Sequence, residues 1–165
     1  MKKIVKILSI ALIMSLLLAF SAFAEEEFTL LPEGNNVSID AQTIDPRGML
    51  IATRIIGLTN NTDGTMTIDA QLLAHVSLDY ALIRITLEEY DTETEDWRIL
   101  SSENKIFKAA DYDESFMSSP GTIYDVEGLT VGNYYRLKAS YRAEKGGTYE
   151  NATAQTEGVK LTKVK

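Results

Sequence analysis

The sequence predicts an all-β protein, an antiparallel β-sandwich of about seven strands preceded by an N-terminal signal helix. Two observations lead to this prediction. After residue 48, apolar and polar residues alternate in several runs that are separated by turns rich in Gly, Asn and Asp. In the same part of the chain, no segment of useful length shows the period of about 3.6 residues that an amphipathic helix requires.

The first 24 residues are typical of a secretory signal peptide. Three lysines precede an apolar run of 14 residues, Ile7–Phe20, and small residues at Ala22 and Ala24 predict cleavage between Ala24 and Glu25. An uncleaved N-terminal anchor is the alternative, but the apolar run is short for a membrane span of about 20 residues. We therefore expect a protein that is secreted through a Sec-type signal and has no membrane contact after cleavage.

Charge and composition limit the classes of partner that we expect this protein to bind. Of the 16 Lys and Arg, three lie in the signal peptide, whereas all 24 Asp and Glu follow it, so cleavage changes the formal charge from −8 to −11. An acidic chain without a basic stripe is not expected to bind nucleic acid or an anionic membrane surface. Because the chain has no Cys, no disulfide framework accompanies export, and the hydrophobic core has to stabilise the fold.

The first part of the exported chain divides into a lead-in and the start of the domain. Residues 25–47 are rich in charges and turn formers, which predicts a flexible lead-in with one short edge strand at 28–31. The β-sandwich domain is predicted over residues 48–163. Its first strand, Met49–Thr59, is rich in Ile, Leu and Thr, and a turn containing Asn and Gly leads into the alternating run Thr65–Val76.

The alternation in this run places Val76 on the apolar face, and the second half of the domain continues the pattern. The residues predicted to face the core there are Ile83, Ile85 and Leu87, then Ile123, Tyr124 and Val126 as anchors of a short strand, then Tyr135, Leu137, Ala139 and Tyr141. The residues predicted to face outward are Arg84, Thr86 and Glu88, then Tyr134, Arg136, Lys138, Ser140 and Arg142.

Further strands are predicted at Leu82–Tyr90, Trp97–Leu100 with a resumption at Lys105–Phe107, Gly121–Val126, Tyr134–Arg142 and Thr148–Leu161. In the last of these, the apolar residues move from even to odd positions, so one extra residue has to be absorbed. Because Gly tolerates the backbone geometry of a bulge, we predict a β-bulge at Glu157–Gly158.

The run Leu129–Ala139 resembles the penultimate strand of fibronectin type III and related immunoglobulin-like modules. The resemblance implies a tyrosine corner at Tyr135, whose ring would fill the edge of the core while its hydroxyl bonds back to the backbone of the preceding crossover. Val131 stands where those modules usually have Pro, and their Trp on the second strand is missing, since Trp97 instead follows the acidic turn. The resemblance therefore implies the architecture and leaves the strand topology open.

The chain also resembles a loosely defined group of small secreted bacterial proteins. The shared features are the signal peptide, Arg47-Gly48 before the first long strand, a Trp after the third strand, and the Gly-x-Tyr-Tyr-Arg run at Gly132–Arg136. This resemblance spans about residues 47 to 163 and implies no activity.

The chain lacks the residues on which most enzymes depend. His75 is the only histidine and there is no Cys, so a Ser–His–Asp triad, a Cys nucleophile and a zinc site are not expected. The many carboxylates around the turn Asp91–Asp96 lie at a solvated strand end and not in a cleft. We predict no enzymatic activity and no cofactor. Calcium at this turn is an alternative that stays open, although the turn lacks the spacing and the Gly of an EF-hand.

Four outward-facing aromatic and basic residues are the candidates for binding: Tyr134, Arg136, Tyr90 and Trp97. Aromatic rings on a sheet face stack on sugars or anchor a protein partner. The alternative is packing at the edge of the core, above all for Trp97. We predict a secreted, non-catalytic binding or adhesion module for cell-wall polysaccharide or a surface protein. A structural, self-assembling matrix or coat component that pairs through its edge strands is the alternative function.

Overall fold

The computed structural model describes residues 29–43 and 49–164 of the 165-residue chain. The predicted signal peptide, its cleavage site between Ala24 and Glu25, and the Arg47-Gly48 pair lie outside the described residues. Within them, the fold is almost entirely β, with two antiparallel sheets packed as a sandwich, which confirms the predicted fold class. None of the helical structure in this part of the chain has the length and apolar character of a membrane span.

Nine strands and one helical turn follow one another along the described residues. They are β1 (Val37–Thr43), β2 (Ile51–Asn60), β3 (Met66–Ala74), β4 (Tyr80–Asp91), β5 (Asp96–Lys108), α1 (Glu114–Ser118), β6 (Gly121–Val126), β7 (Tyr134–Lys145), β8 (Thr148–Gln155) and β9 (Val159–Lys160). One sheet has the strand order β1-β2-β3-β6. The other has the order β5-β4-β7-β8, and β9 also pairs with β7.

The core lies between the two sheets and follows the predicted alternation. In β7, Tyr135, Leu137, Ala139 and Tyr141 are all buried, as predicted. Each large apolar side chain removed from water in this way contributes about 1.5–3 kcal/mol. The hydroxyl of Tyr141 also donates a hydrogen bond of 2.6 Å to the carbonyl of Ile55, which links β7 to β2 in the facing sheet. Burial of this hydroxyl raises the pKa of Tyr141.

The segment predicted as a flexible lead-in contains strand β1, which was not predicted from the sequence. Strand β1 pairs with β2 along its whole length and forms one edge of its sheet, so the domain begins before residue 48. Its inward-facing residues are polar: Ser38 accepts the N–H of Glu157 at 2.9 Å, and Asp40 accepts the N–H of Gln155 at 3.1 Å. Its apolar residues point outward and are exposed, namely Val37 and Ile39.

The predicted β-bulge at Glu157–Gly158 is confirmed by the pairing register. Gln155 lies opposite Lys138 in β7, whereas Val159 lies opposite Tyr135. Four steps from β8 into β9 therefore match three steps along β7, and one residue is extra.

The glycine at this bulge is required for a different reason than the predicted one. Gly158 does not have a positive φ. A Cβ at this position would lie 2.8 Å from Cδ2 of Leu30 and 2.9 Å from Cη2 of Trp97. The N–H of Leu31 donates to the carbonyl of Gly158 at 2.8 Å, so the segment after residue 28 crosses directly over the bulge. Close approach, and not backbone conformation, selects glycine here.

Two residues that were predicted to face the core are exposed. Ile123, predicted as an anchor of β6, is 69% exposed, whereas Tyr124 and Val126, the other two anchors predicted for this strand, pack against the core. Val76 lies beyond the end of β3 and is 43% exposed. Of the three anchors predicted for β6, Ile123 is therefore wrong, and the alternation predicted for β3 extended too far.

Candidate binding surface

The outer face of the β5-β4-β7-β8 sheet brings the four predicted candidates to one end. Trp97 of β5 lies opposite Tyr90 of β4, and their ring centroids are 5.4 Å apart. The guanidinium carbon of Arg136 lies 4.3 Å from the centroid of the Trp97 ring. Tyr134 lies opposite Lys160 of β9, whose ammonium nitrogen is 5.7 Å from the tyrosine ring centroid. Register therefore places on one surface residues that are distant in sequence.

These candidates are more packed than an open binding patch. Arg136 points outward yet is only 8% exposed, because Trp97 covers it. Its Nε donates to Oε2 of Glu88 at 2.6 Å, and this carboxylate is equally buried. Trp97, Tyr90 and Tyr134 are half-buried. Since removing one partner of a buried ion pair typically costs about 3–5 kcal/mol, Arg136 has a structural role at this end of the sheet.

The tyrosine corner that the resemblance implied lies beneath the same end. The Tyr135 hydroxyl accepts the N–H of Thr130 at 2.8 Å and donates to Oε1 of Glu89 at 2.8 Å. The amide of Asn133 donates to the same carboxylate at 2.9 Å, and Arg98 pairs with its other oxygen.

The charge states of this corner follow from these contacts. Hydrogen bonds, first from Asn133 and then from Arg98 and Tyr135, hold the pKa of Glu89 below its usual value against the opposing effect of burial. Burial raises the pKa of Tyr135 to about 12, with a further contribution from its hydrogen bond to Glu89. An ionised Glu89 and a neutral Tyr135 are a structural pair, because neither is poised to exchange a proton near neutral pH.

The centre of the outer face consists of two adjacent rows of polar side chains. The pairing register gives these rows in the order β5, β4, β7 and β8: Asn104, Arg84, Ser140 and Thr153, then Ser102, Thr86, Lys138 and Gln155. We call these eight residues the polar block. None of them is acidic; Thr86 and Gln155 are half-buried and the others are exposed. A groove of about 680 Å³ lies over the part of the block that β4, β7 and β8 supply.

A hydrogen bond within the polar block positions Arg84, and an ion pair with a neighbouring carboxylate positions Lys138. Nε of Arg84 donates to Oγ of Ser102 at 3.2 Å, and the same oxygen lies 3.2 Å from Oγ1 of Thr86. Nζ of Lys138 lies 3.3 Å from Oε1 of Glu88, the carboxylate that Arg136 also holds. Arg84 therefore uses one of its five N–H donors within the block, and the arrangement can donate several hydrogen bonds to an oxygen-rich ligand.

Sequence reasoning identified the orientation of this face but not its composition. The alternation placed Arg84 and Thr86 on the outward side of one strand, and Lys138 and Ser140 on the outward side of another. The contribution of β8, including Thr153, was missed because the strand there has weak alternation before its bulge. The register that aligns these side chains in two rows is not encoded in any single run of sequence.

The acidic turn uses its carboxylates for its own backbone. Asp91 accepts the N–H groups of Glu93 at 2.8 Å and Thr94 at 3.3 Å, and Asp96 accepts the N–H of Trp97 at 2.7 Å. Within residues 29–43 and 49–164, no three His, Asp or Glu side chains gather as metal ligands would. The single histidine, His75, is exposed.

Comparison with known proteins assigns no family. No protein-family model matches the chain, and no curated protein matches it in sequence. The strand order and the outer face of the β5-β4-β7-β8 sheet are therefore the features that bear on function.

Proposed function

We propose that this protein is a secreted, non-catalytic β-sandwich that binds a cell-wall polysaccharide on its polar block. The observation that carries this proposal is the composition of the block: eight hydrogen-bonding side chains, contiguous over four strands, with no acid among them in a chain that has 24 Asp and Glu. A polysaccharide presents hydroxyl groups, which donate and accept hydrogen bonds, and ring oxygens, which only accept them. The hydroxyl and amide side chains of the block can donate and accept, and its two cations donate. The groove over the block has the size of a small-ligand site.

The fold supports a module of the fibronectin type III or immunoglobulin-like kind. Strands β2-β3-β6 face β4-β7-β8 as strands A-B-E face C-F-G in immunoglobulin-like sandwiches, with β5 added beside β4 and β1 beside β2. The corner at Tyr135 lies at the start of β7 and bonds to the backbone five residues upstream, as in that family. Such sandwiches are common on cell surfaces, and this agrees with the export that the N-terminal sequence predicts.

Aromatic rings at both ends of the outer face add to the proposal. Tyr134 is half-buried at one end of this face, beyond the row of Arg136 and Glu88 that separates it from the polar block. Tyr149 of β8 lies at the other end, is 60% exposed, and has the guanidinium carbon of Arg142 4.6 Å from its ring centroid. Exposed rings stack on the apolar faces of sugars. An extended ligand along the sheet could therefore contact aromatic rings at its ends and polar groups at its centre.

A substitution in the centre of the block tests this proposal. Ser140→Trp fills the groove without removing a hydrogen bond of the fold, and Ala41→Trp adds the same side chain to the exposed outer face of the other sheet. We expect the purified protein to bind isolated cell walls and a glycan array, and Ser140→Trp to lower this binding roughly tenfold while Ala41→Trp leaves it unchanged. Circular dichroism checks that both variants are folded.

Two results would overturn the proposal. The first is that the folded protein binds neither cell walls nor glycans. The second is that Ser140→Trp and Ala41→Trp behave alike. Wall binding that survives enzymatic removal of the polysaccharide would reassign the partner to a surface protein. A Tyr134→Ala variant then measures how much the aromatic end of this face contributes to the binding affinity.

Self-assembly is the second candidate function, and the exposed strand β5 favours it. Within the described residues β5 pairs only with β4, so its other edge is open. Ile99, Leu100 and Ile106 on this strand are 63%, 41% and 50% exposed. Unpaired edges with exposed apolar residues favour pairing between copies. Size-exclusion chromatography with light scattering tests this function, and a strict monomer at high concentration contradicts it.

A further inference from the structure

We propose that the ligand of the polar block is an anionic polysaccharide, with its carboxylate or phosphate groups held by Arg84 and Lys138. This inference rests on the proposed function and specifies its ligand. Arg84 lies opposite Ser140, and Thr86 lies opposite Lys138, so Arg84 and Lys138 are diagonal neighbours on β4 and β7. Diagonal neighbours in an antiparallel pair are about 7–8 Å apart. Two cations at this spacing can contact one anionic group together or two groups in succession.

The charges that line the groove favour an anion. The lining includes two acids, and both have partners within the fold. Asp40 pairs with Arg54 at 3.0 Å, and Glu157 accepts a hydrogen bond from Thr29 at 3.0 Å. Glu157 keeps its charge, because a hydroxyl donor does not neutralise a carboxylate. The lining nevertheless holds four cations against these two acids, namely Arg54, Arg84, Arg136 and Lys138, so its net charge is positive.

Arg84 is the strongest of these cations as a ligand-binding group. It is exposed, and no ion pair within residues 29–43 and 49–164 uses it. Its contact with Ser102 occupies Nε, which leaves the two terminal nitrogens to form a bidentate contact with a carboxylate or a phosphate. Lys138 is 45% exposed and shares Glu88 with Arg136, which already holds that carboxylate at 2.6 Å. An incoming anion can therefore recruit Lys138 without leaving Glu88 alone.

The ratio of charged to neutral groups indicates a polysaccharide and not a nucleic acid. Two cations stand among six neutral donors and acceptors, which matches a chain whose anionic groups are separated by hydroxyl-bearing sugars. Duplex DNA carries a charge about every 1.7 Å, a density that two cations among six neutral groups do not match. Because single exposed ion pairs contribute little, affinity here requires contacts that repeat along a polymer.

Binding measurements with three polymers test the inference. The probes are polygalacturonate, a phosphomannan and a neutral glucan of similar length, each titrated into the purified protein at low and high salt, and duplex DNA is titrated in parallel. We expect one of the anionic polymers to bind at least roughly tenfold more tightly than the glucan, and its affinity to fall with salt. The polymer that binds distinguishes carboxylate from phosphate as the recognised group.

Charge-removing variants locate the site. Arg84→Gln and Lys138→Gln should each weaken binding of the anionic polymer roughly tenfold. Lys163→Gln is the matched control: Lys163 is exposed near the β2–β3 turn, so the variant removes the same charge away from the groove and should leave binding unchanged.

Four results would overturn the inference. If the anionic polymers bind no more tightly than the neutral glucan and their affinity does not depend on salt, the inference is overturned and the proposed function stands. An equal loss in Arg84→Gln, Lys138→Gln and Lys163→Gln assigns the effect to net charge and overturns the site. Duplex DNA binding as tightly as the anionic polysaccharide overturns the ligand class. Absence of binding to all three polymers, by a protein shown to be folded, overturns both this inference and the proposed function.

Discussion

Gly158 joins the bulge after β8 to the N-terminal segment. A methyl group at this position would meet Leu30 at 2.8 Å and the ring of Trp97 at 2.9 Å, and the indole cannot shift without losing its contact with Arg136. We therefore expect Gly158→Ala to lower the free energy of unfolding by about 1–3 kcal/mol. Urea denaturation followed by tryptophan fluorescence measures this change, and Trp97 is the only tryptophan in the chain.

Gly57→Ala is the matched control for this prediction. Gly57 also lies in a strand, but a Cβ there would meet its nearest atom, Cγ1 of Ile39, at 3.5 Å, which is an ordinary contact. Ala restricts the unfolded chain more than Gly, so Gly57→Ala should be neutral or stabilising by up to about 1 kcal/mol. Equal destabilisation by both variants would show that close approach at Gly158 is not the cause.

Glu89 makes the stability of the fold depend on pH. Its hydrogen bonds from Asn133, Arg98 and Tyr135 lower its pKa in the folded state, so the unfolded chain binds this proton more readily. The stabilisation is complete above the usual glutamate pKa of about 4.3 and is lost as pH falls through the folded value. We expect Glu89→Gln to be less stable than the wild type at neutral pH, and the difference to shrink below about pH 4.

Urea denaturation across this pH range measures the Glu89 effect. Glu93→Gln is the control, because Glu93 is exposed in the acidic turn. Its difference from the wild type should be small at every pH. A difference between wild type and Glu89→Gln that stays constant down to acid pH would contradict the link between this carboxylate and acid unfolding.

Strand β1 closes the sandwich along the edge of β8. The carboxylate of Asp40 accepts the N–H of Gln155 and pairs with Arg54, so Asp40→Ala leaves both groups without this partner. We expect a loss of about 1–3 kcal/mol in the free energy of unfolding. Hydrogen exchange should also accelerate at the amides of residues 155–157, while the pairing of β4 with β7 stays protected.

Thr43→Ala is the control for the β1 prediction, since Thr43 is exposed at the end of the same strand. It should change neither stability nor exchange at residues 155–157. Exchange that is equally slow in wild type and Asp40→Ala would mean that β1 does not secure the edge of β8.

Strands with one apolar and one polar face were predictable, and strands without this contrast were not. β4 and β7 alternate because one side faces the core and the other faces water. β1 was missed because its polar residues face the other sheet and its apolar residues face outward. β5 was predicted in two pieces, yet it is one strand of 13 residues, because an edge strand that is exposed on both faces has no alternation to detect.

The sequence predicted which side chains of the candidate site face outward, but it did not predict which of them lie next to one another. Alternation placed Tyr134 and Arg136 on the outward face, and that is where they lie. The burial of Arg136 depends on Trp97, which is 39 positions away in sequence and reaches it across the sheet. The polar block depends on the alignment of four strands. The register of each pair is set by which faces are apolar and by the geometry of the connecting turns, so no single run of sequence contains it.

At the scale of the whole molecule, we expect charge on an edge strand to limit association between copies. By the register of β5, Glu103 and Lys105 face inward, opposite the buried Ile85 and Ile83. They pair with each other at 2.7 Å, and Nζ of Lys105 lies 4.5 Å from the ring centroid of Tyr124. Inward-pointing charges on an edge strand oppose the addition of another strand. The net acidic charge adds repulsion between copies.

We therefore expect the wild type to be a monomer in size-exclusion chromatography with light scattering. The double variant Glu103→Thr, Lys105→Thr keeps the net charge and replaces both inward charges with a strand-favouring residue. It should associate at concentrations at which the wild type does not. Glu93→Thr with Lys163→Thr makes the same change of composition away from β5 and should stay monomeric. If the wild type already forms oligomers under these conditions, the charges on β5 do not protect its edge, and this result favours self-assembly, the second candidate function.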